Sequence, residues 1–302
     1  MKAVVLRGTG GVWRARDDVG AEHDVTLRGR LKQGESLKLV VGDEVELERD
    51  ARDGTWAIAD ILPRRSRLAR RAPGGAFGER VVAANVDQVV VVFAAAHPTP
   101  HARMLDRFLV IAAANDVPAR IVINKADLVP GDTLAPYAAY AAAGYPLQAT
   151  SVPNREGLDA LHAVLRGRVS VLTGPSGVGK SSLLNAMYPD LSLRVGTINA
   201  SVDKGRHTTV GATMHPLSDG GYVMDTPGLR EVGLWNVSPA ALERCFPEFR
   251  PFIPRCRFRD CRHHDEPDCA VREAVDTGGV ARERYASYRR LMTDLDVSFP
   301  NQ

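Results

Sequence analysis

The sequence predicts a multidomain protein with an N-terminal β-barrel, a central α/β domain and a C-terminal module completed by helices. Three observations predict this division. Short apolar runs alternate with glycine turns up to about residue 65, longer apolar runs and glycine-rich loops follow, and cysteine and histidine residues cluster near the C-terminal end. We therefore expect domains at residues 1–65, 66–237 and 238–302.

Composition restricts the class of protein further. The 302 residues are 44% hydrophobic, which suffices for ordinary cores, and a net charge of +3 does not by itself indicate nucleic acid binding. The longest apolar run, Val89 to Ala96, is too short to cross a bilayer, and the first residues lack the apolar segment of a signal peptide. We expect a cytoplasmic monomer without membrane contact, in which four cysteines favour metal binding over disulfides.

The N-terminal segment has the spacing of short strands separated by turns. Five or six strands in this length favour a barrel of the OB type, which commonly binds oligonucleotides, and an SH3-like barrel is a close alternative. The arginine-rich residues 63–71 that follow are interpreted as a linker, a role compatible with RNA contact. The apolar runs are Val4–Leu6, Val25–Leu27, Leu37–Val41, Val45–Leu47 and Trp56–Ile58.

The central segment contains a complete phosphate-binding loop. Residues 174–181 read GPSGVGKS and match G-x-x-x-x-G-K-[ST], between an apolar strand at 169–173 and a helix expected over 181–187. The loop N–H groups and the positive end of the helix bind phosphates in such motifs. Lys180 is expected to reach the β- and γ-phosphates, and the Ser181 hydroxyl to bind Mg²⁺.

A second motif, NKAD at residues 124–127, matches the N-K-x-D pattern that reads guanine. The Asp127 carboxylate can accept two hydrogen bonds from guanine that adenine cannot donate, and such sites discriminate by roughly 10⁴-fold. Lys125 is expected along the base, Asn124 is expected to tie this loop to the phosphate-binding loop, and Ser151 lies in the loop that backs the base. Alone the pattern also fits a surface turn, but the phosphate-binding loop in the same chain favours nucleotide binding.

A third motif, DTPG at residues 225–228, matches the D-x-x-G turn that senses the γ-phosphate. Asp225 would hold Mg²⁺ through water, and the Gly228 N–H would meet the γ-phosphate. Residues 205–209, with the sequence GRHTT, form the candidate first switch, in which either Thr208 or Thr209 is a candidate magnesium ligand.

The position after this turn often carries a glutamine that orients the attacking water, but here it is Leu229. His207 is the nearest replacement in sequence, and an ordinary polar loop residue is an equally weighted interpretation.

The order of the motifs predicts a circularly permuted P-loop GTPase, because ordinary GTPases place N-K-x-D last and this chain places it first. The predicted GTP-binding residues are Asn124, Lys125, Asp127, Ser151, Gly174, Pro175, Ser176, Gly177, Val178, Gly179, Lys180, Ser181 and Ser182. The predicted catalytic residues are His207, Lys180 and Gly228, and the predicted magnesium ligands are Ser181, Thr208, Thr209 and Asp225.

Cys256, Cys261, His263 and Cys269 have the spacing C-x₄-C-x-H-x₅-C. Three thiolates and one imidazole form a tetrahedral zinc site, and four protein ligands leave no open position, so one structural zinc is expected. On spacing alone His264 is an alternative fourth ligand. Arginines interleave with the ligands and suit contact with a phosphate backbone, although a solvated basic face is the plainer interpretation.

The remaining C-terminal features indicate packing. Cys245 has phenylalanine neighbours and is interpreted as a core thiol. A helix is expected over residues 282–295, with an apolar face that packs rather than binds a ligand. That face consists of Tyr285, Tyr288, Leu291, Met292 and Leu295.

Together these residues resemble the ribosome small-subunit-dependent GTPase A family over nearly the whole chain. The residues that carry the resemblance are VVGD ending at Asp43, AANVDQ ending at Gln88, the nucleotide motifs, residues 205–209 and the cysteine and histidine cluster. The resemblance implies an OB-fold, a permuted GTPase domain and a zinc module in which His263 is the ligand. It implies GTP hydrolysis stimulated by the small ribosomal subunit, contact with its rRNA, and a role in late subunit maturation.

The resemblance also gives the switch histidine, here His207, a catalytic part. Val210 departs from the family's longer threonine run, which leaves the magnesium-binding threonine open. Since the permutation places one module before the GTPase core and one after D-x-x-G, a ribosome that fixes both would order the switch. An RNA-binding assembly factor that uses GTP as a ligand with little turnover is the alternative function. A P-loop ATPase or a nucleoside kinase would leave Asp127 without a role, and a closed zinc site does not suit a zinc hydrolase.

Overall fold

A computed structural model of the chain describes residues 1–28, 38–50, 54–71, 79–193, 212–225 and 237–298. These residues form a closed barrel, a two-stranded ribbon, a six-stranded sheet with helices on both faces, and a C-terminal group of helices. No helix in these ranges is long and apolar enough to cross a membrane.

The N-terminal barrel has the topology of an OB-fold. Its strands follow the order β1-β2-β3-β5-β4, and β4 pairs with β1 to close the barrel. Strands β3 and β5 are parallel and the other pairs are antiparallel, an arrangement that confirms the OB type. The strands are β1 (Lys2–Thr9), β2 (Val12–Asp17), β3 (Glu22–Leu27), β4 (Glu44–Arg49) and β5 (Trp56–Ile61).

One predicted strand in this region is wrong, and one strand of the structure was not predicted. The run Leu37–Val41 is not a strand over its described residues 38–41, because the Val40 N–H donates to the Asp43 carboxylate at 2.8 Å within a turn. Leu39 and Val41 are nevertheless buried, which explains why the composition of this run suggests a strand. Strand β2 was not predicted, since its tryptophan and arginines break the apolar run.

The basic linker is partly a strand. Strand β6 (Arg67–Arg71) pairs antiparallel with β7 (Glu79–Ala84), and together they form the ribbon between the barrel and the central sheet.

The central sheet has the order β10-β9-β8-β11-β13-β12, and only β12 runs antiparallel to its neighbour. Strand β8 is buried along its whole length, as expected of a central parallel strand covered on both faces. The strands are β8 (Gln88–Ala94), β9 (Ala119–Asn124), β10 (Leu147–Thr150), β11 (Val169–Thr173), β12 (Thr213–Pro216) and β13 (Tyr222–Asp225). The helices are α1 (Ala102–Ala114), α2 (Ala138–Ala142), α3 (Leu158–Leu165) and α4 (Lys180–Met187).

The sheet brings the three nucleotide motifs together although their order in the chain is permuted. The N-K-x-D motif begins at the end of β9, the phosphate-binding loop follows β11, and D-x-x-G begins at the end of β13. Since β9, β8, β11 and β13 are parallel neighbours, their carboxyl ends lie at one edge, where ligands bind in open α/β sheets.

The C-terminal part contains α5 (Pro239–Leu242), α6 (Ala270–Asp276) and α7 (Arg282–Ser298), connected through short 3₁₀ turns. The predicted apolar face of α7 packs against Cys245, Phe246 and Phe249 in one buried cluster. Cys245 is therefore the core thiol that the sequence indicates, and burial raises its pKa to about 11.

A buried charged network fastens α7 to α1. Arg284 is 2% exposed, and its guanidinium contacts the Asp106 carboxylate and donates to Glu248 at 2.7 Å. The Ser287 hydroxyl also donates to Asp106. The guanidinium lies 4.6 Å from the ring centre of Phe246, so aromatic contacts complete its surroundings.

We expect Arg284→Ala to lower the free energy of unfolding by about 3–5 kcal/mol, because it leaves two buried carboxylates without their cation. The exposed Arg290 lies on the same helix, and Arg290→Ala should change stability by no more than about 0.5 kcal/mol. Urea denaturation of both variants checks this. Equal losses of unfolding free energy in the two variants would mean that the buried charged network does not contribute to stability beyond an ordinary surface arginine.

Candidate nucleotide site and metal centre

The phosphate-binding loop is held too close to β8 to carry side chains at its start. Gly174 has φ +134°, and a Cβ atom there would lie 2.0 Å from the Val92 carbonyl oxygen. Gly179 has φ +93° and directly precedes α4, whose first N–H groups face the loop. The backbone between them therefore has the path of an anion-binding loop at a helix N-terminus.

The two functional side chains of this loop are buried inside it. Lys180 is 6% exposed, and its ammonium donates to the carbonyls of Gly174 at 2.8 Å and Pro175 at 2.6 Å. The Ser181 hydroxyl is buried and has no hydrogen-bond partner in the described part of the chain. An orphaned hydroxyl beside a phosphate-binding loop fits a magnesium ligand, so this residue suits the ion that accompanies a nucleoside triphosphate.

Asn124 connects the base-reading loop to the phosphate-binding loop. Its side-chain amide donates to the Val178 carbonyl at 2.9 Å, which is the contact expected from the sequence. The Thr150 hydroxyl donates to the other end of the same amide at 3.0 Å. Since both ends are held, the amide orientation is fixed, and the two loops keep one relative position.

Asp127 is held from one side only. The Ser151 hydroxyl donates to one oxygen of its carboxylate at 2.6 Å. Ser151 is itself fixed by backbone hydrogen bonds with Glu156, both 3.0 Å long. The aspartate is exposed, so its second oxygen can accept from a base. This geometry suits recognition of the paired N–H donors of guanine.

Lys125 has a partner that sequence reasoning missed. Its backbone is in the left-handed region at φ +61°, and its ammonium donates to the His97 carbonyl. His97 follows β8, and the neighbouring Pro98 faces Gly177 of the phosphate-binding loop. No motif marks residues 95–100, so only the fold reveals that they border the nucleotide site.

The D-x-x-G motif starts beside the phosphate-binding loop. Asp225 pairs in register with Leu172, two residues before Gly174. Its position is therefore compatible with the predicted magnesium role. The other predicted switch residues, His207, Thr208, Thr209 and Gly228, lie outside the described residues, as does Leu229, and their roles stay predictions.

Four residues of the C-terminal part form a compact ligand set. The ligand atoms of Cys256, Cys261, His263 and Cys269 all lie within 4.8 Å of one another. The Nδ1 atom of His263 lies 3.6 Å from the Cys256 sulfur and 3.4 Å from the Cys269 sulfur. Three thiolates and one imidazole nitrogen around one centre fit a tetrahedral zinc ion with no position left for water.

The structure selects His263 over His264. The ring of His263 is fully buried, and its other nitrogen lies 2.8 Å from the Glu243 carboxylate, the arrangement that orients metal-binding histidines. The His264 ring contacts Asp265 and Arg289 instead, and its side chain is 54% exposed. Glu243 was not predicted, because it lies 20 residues before its partner and no spacing rule connects them.

Burial raises the pKa of the Cys261 thiol to about 12. A thiol buried in this way prefers to be neutral, and a cation at the centre of the cluster reverses that preference by stabilising the thiolates. The support for a metal ion is therefore the compact arrangement of the four ligand atoms, not the charge of the free thiols.

A family model and similar proteins of known name point to the same family. A family model described as RsgA GTPase matches residues 61–235. A relative named small ribosomal subunit biogenesis GTPase RsgA, from Gemmatimonas aurantiaca, is 58% identical over 296 residues, covering 97% of this chain and 96% of the relative. A relative of the same name from Moorella thermoacetica is 39% identical, covering 98% of this chain and 97% of the relative.

Solved structures agree with the fold. The crystal structure of YjeQ from Thermotoga maritima matches with a TM-score of 0.81 and 33% identity, covering 97% of this chain and 98% of that one. YloQ, described as a circularly permuted GTPase, matches with a TM-score of 0.79 and 29% identity, covering 100% of this chain and 96% of that one.

Proposed function

The chain belongs to the RsgA GTPase family, a family of GTP-hydrolysing enzymes, and from this membership we propose that it binds the small ribosomal subunit and assists its late maturation. We propose further that the subunit stimulates its hydrolysis of GTP. The observation that carries the proposal is the shared edge of the central sheet, where the Ser151-held carboxylate of Asp127 and the phosphate-binding loop are joined through Asn124.

The proposed reaction uses the residues in separate roles. Lys180 contacts the β- and γ-phosphates, the Gly228 N–H contacts the γ-phosphate, and Asp127 selects guanine. Magnesium bound with GTP neutralises the charge that develops on the phosphates. Its proposed ligands are Ser181, Asp225 and one of the two switch threonines, Thr208 or Thr209.

The proposed partners follow from the modules around this site. The barrel and the arginines near the metal cluster contact rRNA, and one structural zinc holds the C-terminal module. We propose three domains at residues 1–65, 66–237 and 238–302, and a monomer that works in the cytoplasm with GTP, GDP and the small subunit.

Sedimentation with purified ribosomal subunits tests the proposal. The chain loaded with a non-hydrolysable GTP analogue should sediment with small subunits, and GDP should weaken this binding, because the γ-phosphate orders switch segments. Large subunits serve as the control. Equal binding to both subunits, or to neither, would remove the proposed partner.

His207→Ala should keep GTP binding and subunit binding but lose most of the stimulated rate. Leu229 cannot orient water. In Ras-like systems a partner protein that supplies the missing catalytic group raises the rate of hydrolysis by up to about 10⁵-fold. Single-turnover hydrolysis with saturating subunits measures this without interference from binding. His101→Ala is the control, since this histidine is exposed and caps no helix through its side chain.

A variant of His207 within about twofold of the wild type would show that another group positions the water. Because Leu229 cannot orient water, a second candidate function is an RNA-binding assembly factor that turns over little GTP. That function predicts normal subunit binding together with a negligible stimulated rate in the wild type.

A further inference from the structure

The hairpin formed by β12 and β13 joins the two segments in which the switch residues lie. Strand β12 begins just after residues 194–211, which contain the candidate first switch, and β13 ends at Asp225, the first residue of D-x-x-G. The position of this hairpin therefore affects both segments that contact the γ-phosphate and magnesium in GTPases.

The N-terminal barrel packs directly on this hairpin. Strand β1 lies beside β12, and Leu6 and Val41 of the barrel share one buried cluster with Met214 of β12 and Met224 of β13. Leu6 is 3% exposed and Met224 is completely buried. The shared cluster thus includes the residue that immediately precedes Asp225.

Gly42 brings the barrel backbone against the same methionine. A Cβ atom at Gly42 would lie 2.2 Å from the Ala84 carbonyl oxygen and 3.2 Å from the terminal methyl carbon of Met224. Gly42 also has φ +89°, a conformation that favours glycine. A side chain here would collide with the Ala84 backbone of the ribbon and would also press on the Met224 methyl group of β13.

The barrel turn that makes this contact is rigid. The Asp43 carboxylate is fully buried and receives two hydrogen bonds from Arg64, at 2.7 Å and 2.9 Å. The Asn85 amide donates to the Gly42 carbonyl at 2.9 Å, which ties the turn to the end of the ribbon. A turn held from both sides transmits displacement rather than absorbing it.

The opposite end of the hairpin is fastened to the body of the GTPase domain. The Gly167 N–H donates to the Gly220 carbonyl at 2.8 Å, and Asp219 lies 3.2 Å from His162 of α3. In the described structure the hairpin is therefore held along β13 by its pairing with β11, at its turn by the GTPase body, and on a further side by the barrel.

We propose that the barrel positions the switch segments through the buried cluster that Leu6 and Val41 share with Met214 and Met224, and through the approach of Gly42 to Met224. A partner that binds the barrel then shifts the conformational equilibrium of the hairpin toward the position in which Asp225 supports hydrolysis. The coupling is reciprocal, so the γ-phosphate also changes how firmly the barrel is held. The inference rests on the proposed function in one respect, that the small ribosomal subunit is the partner.

Two neighbouring residues of β1 give a matched test. Leu6 belongs to the cluster that includes the two hairpin methionines, whereas Val5 belongs to the core of the barrel. Leu6→Ala should keep GTP binding and the unstimulated rate, but lower the stimulated kcat about tenfold, within the range by which such contacts modulate coupling. Val5→Ala should lower the thermal stability of the barrel and keep normal stimulation below its melting temperature.

A second pair of variants adds a methyl group instead of removing side-chain atoms, and at Gly42 this group meets the Ala84 backbone and the Met224 methyl group. Gly42→Ala and Gly54→Ala add the same methyl group at positive φ, but the new group at Gly54 meets only the flexible Arg49 guanidinium, at 3.3 Å. Only Gly42→Ala should reduce stimulation. This pair decides the matter if Leu6→Ala does not fold.

A third measurement needs no ribosome. Hydrogen exchange of residues 2–9 and 38–43 should slow when a GTP analogue replaces GDP in the wild type, and the difference should disappear in Leu6→Ala. The proposed coupling is contradicted if small subunits stimulate Leu6→Ala and Gly42→Ala normally. It is also contradicted if hydrogen exchange in the barrel is the same with GDP and with the GTP analogue. A wild type without stimulation overturns the proposed partner instead, and the exchange experiment then decides the coupling alone.

Discussion

Asp127→Asn should change the preference of the site from guanine toward xanthine nucleotides, with a loss of GTP selectivity of roughly 10⁴-fold. The carboxylate accepts a pair of hydrogen bonds from guanine, whereas an asparagine amide supplies one acceptor and one donor, which suits the extra carbonyl of xanthine. The Ser151 hydroxyl can still donate to the amide oxygen, as it does to the carboxylate at 2.6 Å. Competition among GTP, XTP and ATP for the loaded protein measures the change.

Asp132→Asn is a suitable control for that experiment. Asp132 is exposed and lies in the same loop region, and its carboxylate accepts from the Leu134 N–H, a bond that an amide oxygen keeps. Unaltered base preference in Asp127→Asn would show that another group reads the base.

Removal of zinc should unfold the segment around residues 250–280 while the six-stranded sheet stays intact. Structural zinc sites supply about 10–16 kcal/mol of binding free energy, which becomes folding free energy when the ligands are not preorganised. Metal analysis should find about one zinc per chain. Hydrogen exchange after treatment with a strong chelator should show lost protection in this segment and retained protection in β8 and β11.

Two cysteine variants separate metal binding from packing. Cys256→Ser removes a ligand and should lose the metal, whereas Cys245→Ser changes a buried thiol outside the ligand set and should keep it. An apo protein that keeps its C-terminal protection, or a Cys256→Ser variant that keeps full zinc, contradicts a structural metal centre.

The local parts of the nucleotide site could be predicted from sequence because their chemistry requires fixed spacing. Strand β11 has the predicted bounds, α4 begins one residue earlier than predicted, and the amide of Asn124 meets the phosphate-binding loop as expected. The phosphate-binding loop needs its glycines, lysine and hydroxyl within eight residues. The motifs place each segment at the carboxyl end of a strand, but they do not give the order of the strands in the sheet.

Contacts between distant segments could not be predicted in the same way. His97, Glu243 and Arg284 lie 28, 20 and 178 residues from the partners they contact in Lys125, His263 and Asp106. No periodicity or spacing connects such pairs. A buried arginine on α7 even looks like part of a solvated face, because the sequence does not show which helix will cover it.

The errors in the barrel have a related cause. Apolar composition predicts burial, and residues 39 and 41 are buried, but a strand also needs a neighbouring backbone to bond with. In this turn the N–H of Gly42 does bond to a strand, at the Val5 carbonyl, while that of Val40 bonds to a side chain. Gly42 of this turn also approaches Met224 of β13, and the local pattern does not indicate that contact.

Phosphate release with and without purified small ribosomal subunits tests the central claim most directly. The free protein should hydrolyse GTP slowly because Leu229 cannot orient water, and small subunits should raise the rate strongly, toward the up to about 10⁵-fold known for completed GTPase sites. Large subunits should have no effect, and Asp127→Asn should show the same stimulation with XTP, which ties the activity to this site. A rate that small subunits leave unchanged, or that large subunits raise equally, would contradict the account.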